Sequence, residues 1–97
     1  MKFYIYILRS KKCEKYYVGQ TDDIFQRLLE HNVFSEKSYT SKYRPWVLKA
    51  VFDVGLSRGI ALKIERHIKK QKSRKYIEDI INRNSIEKLI EKYSSVC

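Results

Sequence analysis

The sequence has little cysteine and no long hydrophobic run. Its two cysteines, Cys13 and Cys97, lie far apart and form no Cys-x-x-Cys motif, which argues against both a disulfide framework and a zinc site. The longest apolar run, residues 3–8, is too short to cross a bilayer, and no signal-peptide cleavage pattern follows it. We therefore expect a cytoplasmic protein without a membrane partner.

Proline and glycine are also scarce, at one and three residues, and the chain contains no repeat, linker or low-complexity tract. A length of 97 residues leaves room for one hydrophobic core. Hydrophobic residues make up 43% of the chain, which is enough to form that core despite the high charge. The composition predicts one folded domain.

Positive charge is the most abundant feature of the sequence. There are 21 Lys and Arg against 11 Asp and Glu, a net charge of +10 and an isoelectric point near 9.7. The excess is concentrated between Lys63 and Lys75. Phosphate backbone is the commonest partner for such a stripe, so the charge predicts a polyanionic ligand.

The hydrophobic pattern predicts an α+β fold. Residues 3–8 alternate with the two-residue period of a strand, and residues 16–20 resume one, which indicates an antiparallel hairpin. Pro45 opens a third strand, from Trp46 to Val54. We expect a small three-stranded antiparallel sheet flanked by helices, in the order β-β-α-β-α followed by C-terminal helices.

Helix signals fill the remaining segments. Asp23 and Gln26 fit a capping box for a first helix that ends near Asn32. Isoleucines recur every four residues in a second helix, which begins at Ser57 or Ile60 and ends at Gln71. Two further apolar clusters predict a third helix and a short fourth helix, around residues 76–81 and 86–90.

The first predicted helix places Asp23, Arg27 and His31 at successive i, i+4 positions, on one face. One interpretation is a surface ladder in which Asp23 pairs with Arg27. The other is a functional site, because Tyr6 and Tyr17 of the hairpin can face this helix. Either tyrosine could equally be ordinary strand packing.

Glu65 is the only acidic residue between Lys63 and Lys75, and it lies one position away from the apolar stripe of the second helix. A structural interpretation is an i, i+4 ion pair with Lys69. A functional interpretation is a carboxylate presented to a divalent cation. Mg²⁺ takes one or two protein carboxylates and fills its remaining positions with water and substrate phosphate, so one Glu is sufficient.

The segment from Tyr39 to Trp46 interleaves aromatic and basic side chains. Stacking surfaces beside cations suit a nucleic-acid groove, although the aromatic residues could instead anchor the loop in the core. The stripe in the second helix would follow the phosphate backbone, and His67 within it is expected to lie on the surface. The candidate nucleic-acid-binding residues are Lys42, Tyr43, Arg44, Trp46, Lys69, Lys70 and Lys72.

Tyr4-Ile5-Tyr6, followed eleven residues after Tyr6 by Tyr17-Val18-Gly19, resembles the two signatures of the GIY-YIG nuclease family. Arg27 and His31-Asn32 fall where that family has its catalytic arginine and a helix histidine. The segment that ends at Glu65 resembles the one that carries the metal-binding glutamate.

The resemblance extends over residues 3–75. Thr40 and Arg44-Pro45-Trp46 are similar to the small stand-alone bacterial members and to the catalytic subunit of the eukaryotic structure-specific junction endonuclease. The resemblance implies a nuclease domain over residues 1–80, with residues 81–97 as a helical extension of the same domain. The first signature departs from the family pattern, because Tyr4 replaces its glycine.

The resemblance implies metal-dependent phosphodiester hydrolysis with one Mg²⁺ or Mn²⁺ ion. Tyr6 and Tyr17 would lie at the attacking water, Arg27 at the phosphoryl oxygens and Glu65 on the metal. Which tyrosine takes the proton stays open; Tyr6 is preferred, with His31 assisting it or contacting phosphate. A phenol needs nearby cations to act as a base, and Arg27, His31 and the metal are the candidates.

Gly19 would let the backbone approach the scissile phosphate. DNA is favoured over RNA, with branched or damaged DNA among the substrates that the resemblance admits. No appended recognition domain is present within the matched segment, so substrate shape or a protein partner would have to supply specificity. The alternative is a nucleic-acid-binding module that keeps the nuclease fold but cuts little by itself.

Overall fold

The computed structural model describes residues 1–34, 43–83 and 86–94. Three strands and four α-helices follow one another in the predicted order, and a single π-helical turn continues the first helix. Their bounds are β1 Phe3–Ser10, β2 Tyr16–Thr21, α1 Ile24–Leu29, the π-helical turn Glu30–Phe34, β3 Trp46–Gly55, α2 Arg58–Lys70, α3 Arg74–Arg83 and α4 Ile86–Ser94.

The strands form one antiparallel sheet in the order β2-β1-β3, so β1 is the central strand and β2 and β3 are the edge strands of the sheet. Tyr6 in β1 is paired with Gly19 of β2 on one side and with Val51 of β3 on the other. The predicted α+β class and three-stranded antiparallel sheet are thus confirmed.

One face of the sheet carries the main core. Phe3, Ile5 and Ile7 of β1 are buried there, as the two-residue period predicted. α2 packs on this face through Ala61, Ile64 and Ile68, and α3 and α4 complete the layer. Their buried contributions are Ile80 from α3 and Ile86 and Leu89 from α4.

The opposite face of the sheet buries a second, smaller cluster. Tyr6, Leu8 and Trp46 form its centre, and Ile24 and Leu28 of α1 cover them. Since α1 lies on this face and α2 on the other, the two helices approach the edge strand β2 from opposite sides. The candidate site occupies that edge.

The start of α1 differs in detail from the predicted capping box. The Asp23 side chain accepts a hydrogen bond from the Gln26 backbone N–H at 3.1 Å, as expected of an N-cap. However, the Asp23 N–H donates to the hydroxyl of Thr21 at 3.0 Å, while the Gln26 amide extends forward to Glu30. The backbone N–H of the N-cap residue is therefore bound by the Thr21 side chain and not, as the capping box predicts, by that of Gln26.

The domain boundary predicted at residue 80 falls within α3, which extends to Arg83. His67, expected on the surface, is half-buried, and its ring is hydrogen-bonded to Tyr76 of α3 and Tyr93 of α4. None of the helices in the described ranges combines the length and the apolar composition that a membrane span requires.

Candidate active site

Tyr6 is the centre of the site and is completely buried. Its ring lies across the Cα of Gly19, its partner on β2. A Cβ at Gly19 would clash with the hydroxyl oxygen and Cζ of Tyr6 and lie 2.8 Å from its Cε1. Gly19 thus makes room for the tyrosine ring, a reason for a glycine that is independent of the expected approach of the backbone to a phosphate.

The π-helical turn after α1 brings His31 onto Tyr6. The Tyr6 hydroxyl and His31 Nε2 are hydrogen-bonded at 2.9 Å, and His31 is only 5% exposed. Burial lowers the pKa of His31 to about 4, with the Arg27 charge acting in the same direction. His31 is therefore neutral at pH 7, which corrects its expected role as a cation beside the phenol.

Burial also governs the phenol of Tyr6. It raises the Tyr6 pKa to about 12, because a phenolate would be poorly solvated there, although the nearby Arg27 guanidinium acts in the opposite direction. Smaller electrostatic contributions from Tyr17 and Glu65 raise the pKa of Tyr6 further. These influences show that the hydroxyl of Tyr6 shares one electrostatic environment with all three side chains.

Arg27 projects from α1 toward Tyr6 and pairs with Glu30 at 2.8 Å. The predicted ladder between Asp23 and Arg27 is wrong, because Asp23 caps the helix while Arg27 turns to Glu30 one turn later. The buried Nε of Arg27 has no hydrogen-bond partner within the described part of the chain. Its guanidinium therefore retains a donor that the fold does not use.

Tyr17 lies on the edge strand between the two helices and is half-buried. Its ring centroid is 6.2 Å from that of Tyr6 and 4.6 Å from that of His31. On the α2 side, the Lys69 ammonium stands 5.3 Å from the centre of the Tyr17 ring. Of the two tyrosines, Tyr17 is thus the one that is accessible to solvent.

Glu65 approaches the site from α2, and its side chain is 17% exposed. The Lys69 ammonium contacts its Oε1 at 2.7 Å, so the ion pair anticipated as a structural role for Glu65 is present. Because the Lys69 ammonium also stands near the Tyr17 ring, the carboxylate already binds a cation on the side that faces Tyr17, and a metal ion would displace that ammonium. The structural and functional interpretations of Glu65 are therefore compatible.

The donor set fits a divalent ion that takes most of its ligands from water and substrate. Glu65 offers one carboxylate, and residues 1–34, 43–83 and 86–94 contain no group of three or more acidic, His or Cys side chains that could enclose a metal. Mg²⁺ is commonly held by one or two carboxylates together with substrate phosphates. Glu65 is thus the residue that would hold it.

Tyr43, Arg44 and Trp46, the candidate residues before and at the start of β3 that the structure describes, are anchored against the site. Trp46 is 3% exposed and packs in the smaller core cluster, with Tyr43 against it, which confirms the anchoring role considered for them. Arg44 Nε donates to the His31 carbonyl oxygen at 2.7 Å. Lys42, the remaining candidate in this loop, lies outside the described residues.

The basic stripe divides between the two flanks of α2. Lys69 and Lys72 line a cleft of about 420 Å³ between β2 and the junction of α2 with α3, with Tyr17 in its wall. Lys70 lies on the opposite flank, in a separate cavity. Of the three lysines predicted to follow nucleic acid, two therefore adjoin the site and one does not.

Asn32 is a positioning residue to which the sequence analysis assigned no role. Its side chain accepts a hydrogen bond from the Trp46 N–H at 2.7 Å and donates to the Trp46 carbonyl oxygen at 3.1 Å. This pair of bonds fixes the π-helical turn, and with it His31, to the start of β3. Its position next to His31 in the sequence was the one available signal.

Comparison with known proteins agrees with this geometry. Residues 2–77 match the GIY-YIG catalytic domain. The solution NMR structure of the UPF0213 protein BH0048 from Bacillus halodurans is similar over the whole of both chains, with 26% sequence identity and a TM-score of 0.53. No curated protein matches the sequence.

The domain match covers the strands, α1, α2 and the residues of the site, and it ends within α3. The order of Tyr6, Tyr17, Arg27, His31 and Glu65 along the chain suggested this family, and the structure brings their elements to one edge of the sheet. The protein therefore belongs to the GIY-YIG family, whose catalytic domain is of the nuclease type.

Proposed function

We propose that the protein is a metal-dependent endonuclease that hydrolyses phosphodiester bonds in DNA, with branched or damaged DNA among its substrates. The observation that supports this most is that Tyr6 of the central strand lies close to Tyr17, Arg27, His31 and Glu65, beside β2, which α1 and α2 approach from opposite faces. A net charge of +10 favours a polyanionic substrate beside that edge strand.

The hydrogen bond between Tyr6 and His31 offers a path for the proton of the attacking water. A neutral His31 with its proton on Nδ1 accepts the Tyr6 hydroxyl proton through Nε2, while the Tyr6 oxygen takes the proton of the water. Tyr6 thus stays neutral throughout and His31 becomes the imidazolium. The relay avoids a free phenolate, which a Tyr6 pKa of about 12 makes costly at neutral pH. Since the pKa of His31 is about 4 in the free protein, the imidazolium formed in this step needs the negative charge of the bound phosphate to stabilise it.

The remaining residues bind and orient the phosphate. Tyr17, half-buried on the edge strand, holds the water or a phosphoryl oxygen through its hydroxyl. The unused donor of Arg27 and the ammonium of Lys69 supply positive charge where negative charge develops. Glu65 would hold Mg²⁺ or Mn²⁺, which when bound stabilises the leaving oxygen and neutralises phosphate charge.

A nicking assay tests the proposal. Supercoiled plasmid and a three-way DNA junction are incubated with Mg²⁺ or Mn²⁺ and with wild type, Glu65→Gln or Arg27→Gln. We expect each variant to lose about a hundredfold or more in rate, the scale of a lost electrostatic contact to the transition state. Glu91→Gln, an exposed residue of α4, is the matched control and should cut like wild type.

Cleavage by Glu65→Gln at the wild-type rate would contradict the assignment of the metal ligand. Replacing the DNA by RNA of the same sequence tests the substrate class, since we expect DNA to be cut faster. A partner that supplies specificity, and a cytoplasmic location, remain part of the prediction from the sequence.

A second candidate function is supported by a specific observation. Tyr6 is completely buried, and Lys69 already occupies the carboxylate of Glu65. Both contacts must rearrange before catalysis, so a binding module with little cleavage of its own is the alternative. Salt-sensitive DNA binding without turnover on plasmid, junction or flapped DNA, with either metal, would favour it over the nuclease.

A further inference from the structure

A second basic cavity lies on the flank of α2 that faces away from Glu65. Its volume is about 590 Å³, and α2 and α4 form its walls. We refer to it as the α2–α4 pocket. Its lining residues are Lys63, Arg66, His67, Lys70, Gln71, Lys92 and Tyr93.

The helical period separates this pocket from the candidate active site. Glu65 and Lys69 are four residues apart and share the flank that faces Tyr17. Lys63, His67 and Lys70 recur with the spacing of another face of the helix. The α2–α4 pocket and the cleft beside Tyr17 have no lining residue in common. Two separate surfaces thus carry the basic stripe.

The positive charges of the α2–α4 pocket are not compensated. Among the residues that the structure describes, Lys63, Arg66, Lys70 and Lys92 take part in no ion pair, and no carboxylate lines the cavity. In the cleft beside Tyr17, by contrast, Lys69 is paired with Glu65. Four adjacent cations without a counter-charge repel one another, and an anion that enters the pocket would relieve this repulsion.

Hydrogen bonds at the base of the pocket hold its walls in place. The His67 ring contacts the Tyr93 hydroxyl of α4 at 2.8 Å and the Tyr76 hydroxyl of α3 at 3.1 Å. α4 also packs into the core through Ile86 and Leu89. Lys92 is thereby placed beside the basic residues of α2. The match to the catalytic domain ends at residue 77. The wall that α4 contributes to the pocket therefore lies outside the matched part of the chain.

We propose that the α2–α4 pocket binds backbone phosphates of a second segment of nucleic acid, separate from the segment at Tyr17. This inference rests on the proposed function for the class of ligand. Three lysines and one arginine at the surface of a shallow cavity suit phosphate contacts, which fix position without reading sequence. A substrate that bends or branches around α2 satisfies both surfaces at once.

Binding of a fluorescently labelled three-way DNA junction, measured in EDTA over a range of salt concentrations, tests this inference. The pocket variant carries Lys63→Gln, Arg66→Gln and Lys92→Gln. The control variant carries Lys11→Gln, Lys12→Gln and Lys49→Gln, which removes three exposed positive charges elsewhere. Both variants therefore have the same net charge, so any difference between them reflects position.

We expect the pocket variant to lose about tenfold or more in affinity, and the slope of log K against log salt to decrease by about 0.9 for each phosphate contact removed. The control should lose clearly less. Equal losses and equal slopes in the two variants would overturn the inference, because only net charge would then matter. Thermal unfolding of both variants shows whether either loss reflects a change in stability.

Chemical-shift mapping by NMR with the same junction provides a second measurement. The amide resonances of Lys63, Arg66 and Lys92 should move on titration, and they should still move in Glu65→Gln. Shifts confined to the flank of Tyr17 and Lys69 would overturn the inference. Neither measurement needs cleavage. The proposal for the α2–α4 pocket can therefore be contradicted while the proposed nuclease function stands. It can also be supported in a protein that does not cut DNA.

Discussion

At the scale of single residues, the packing of Tyr6 on Gly19 links the pairing of β1 with β2 to the chemistry of the site. The two residues are partners in the antiparallel register, so the tyrosine ring lies over the one position of β2 that has no side chain. Any side chain there must move either the ring or the strand. The interaction with His31 at 2.9 Å depends on the ring staying in place.

We therefore predict that Gly19→Ala destabilises the protein and disturbs the site. Overpacking of a core position costs about 1–3 kcal/mol, and the clash here is with a buried ring. Urea denaturation measures the loss. Gly59→Ala is the matched control: its Cβ would lie 3.6 Å from the Ser57 hydroxyl oxygen, and it should match or exceed wild-type stability. Equal stability of the two variants would contradict the packing described.

His31 gives a prediction about pH. Its pKa in the folded protein is about 4, below the ordinary value of 6.5, so the unfolded chain binds a proton first as the pH falls. Well above pH 6.5 His31 is neutral in both states and has no effect; as the pH falls from 6.5 toward 4, protonation of the unfolded chain lowers the free energy of unfolding, by about 3 kcal/mol at most.

Urea denaturation at several pH values checks this expectation. His31→Gln removes the titrating group, so its free energy of unfolding should fall less than that of wild type between pH 6.5 and pH 4. His67→Gln, the comparison variant, should retain the part of the fall that belongs to His31, although burial also lowers the pKa of His67 and its own smaller part is lost. A wild-type fall that His31→Gln leaves unchanged would assign the effect to other groups.

Residue identities and their order predicted the members of the site, but local spacing could not predict their partners. Asp23 and Arg27 have ideal spacing for an ion pair, yet Asp23 caps α1 and Arg27 pairs with Glu30. The neutrality of His31 arises from burial by a distant strand, which no local pattern reveals. Contacts between elements decided these outcomes.

At the scale of elements, the π-helical turn determines where His31 and Asn32 point. It joins α1 to the start of β3 through the two hydrogen bonds between Asn32 and the Trp46 backbone, and Arg44 adds a third contact to the His31 carbonyl. The side chain of Asn32 thus pairs with the backbone N–H and carbonyl of Trp46, as the backbone of a neighbouring strand would. Trp46 is buried as a consequence of this anchoring and of its place in the core.

We predict that Asn32→Ala destabilises the protein by about 2 kcal/mol, because two hydrogen bonds to half-buried backbone groups are lost. Thermal or urea unfolding measures the change. Asn32→Asp retains the acceptor for the Trp46 N–H and should lose less than the alanine variant. If alanine were as stable as wild type, the turn would not depend on this residue.

The strands and the main helices could be predicted because their signals are local. Alternation in residues 3–8 and the four-residue recurrence of Ile60, Ile64 and Ile68 both identify a buried face. The π-helical turn could not be predicted, since its residues have no distinctive period and its geometry follows from the bonds of Asn32. The predicted end of the first helix near Asn32 included this turn without recognising it.

At the scale of the whole molecule, metal should affect activity without affecting folding. The charge of Glu65 is already balanced by Lys69 at 2.7 Å, and hydrophobic packing on both faces of the sheet provides the core. We predict that EDTA abolishes DNA nicking and leaves the thermal unfolding midpoint unchanged. Circular dichroism checks the midpoint, with Mg²⁺ re-addition as the control for recovery of nicking. A lower midpoint in EDTA would indicate a structural ion.

The position of β2 at the edge of the sheet limits how this molecule can grow or associate. A strand added beside β2, whether from an insertion or from another protein, would pair with its outer edge and cover Tyr17 and Gly19. β3 forms the opposite edge, with Val47 and Val51 exposed, and is remote from that surface in the strand order. Fusions and engineered β-augmentation should therefore be directed to β3 beyond Trp46, where they leave both the entrance to the site and the bonds between Asn32 and Trp46 in place.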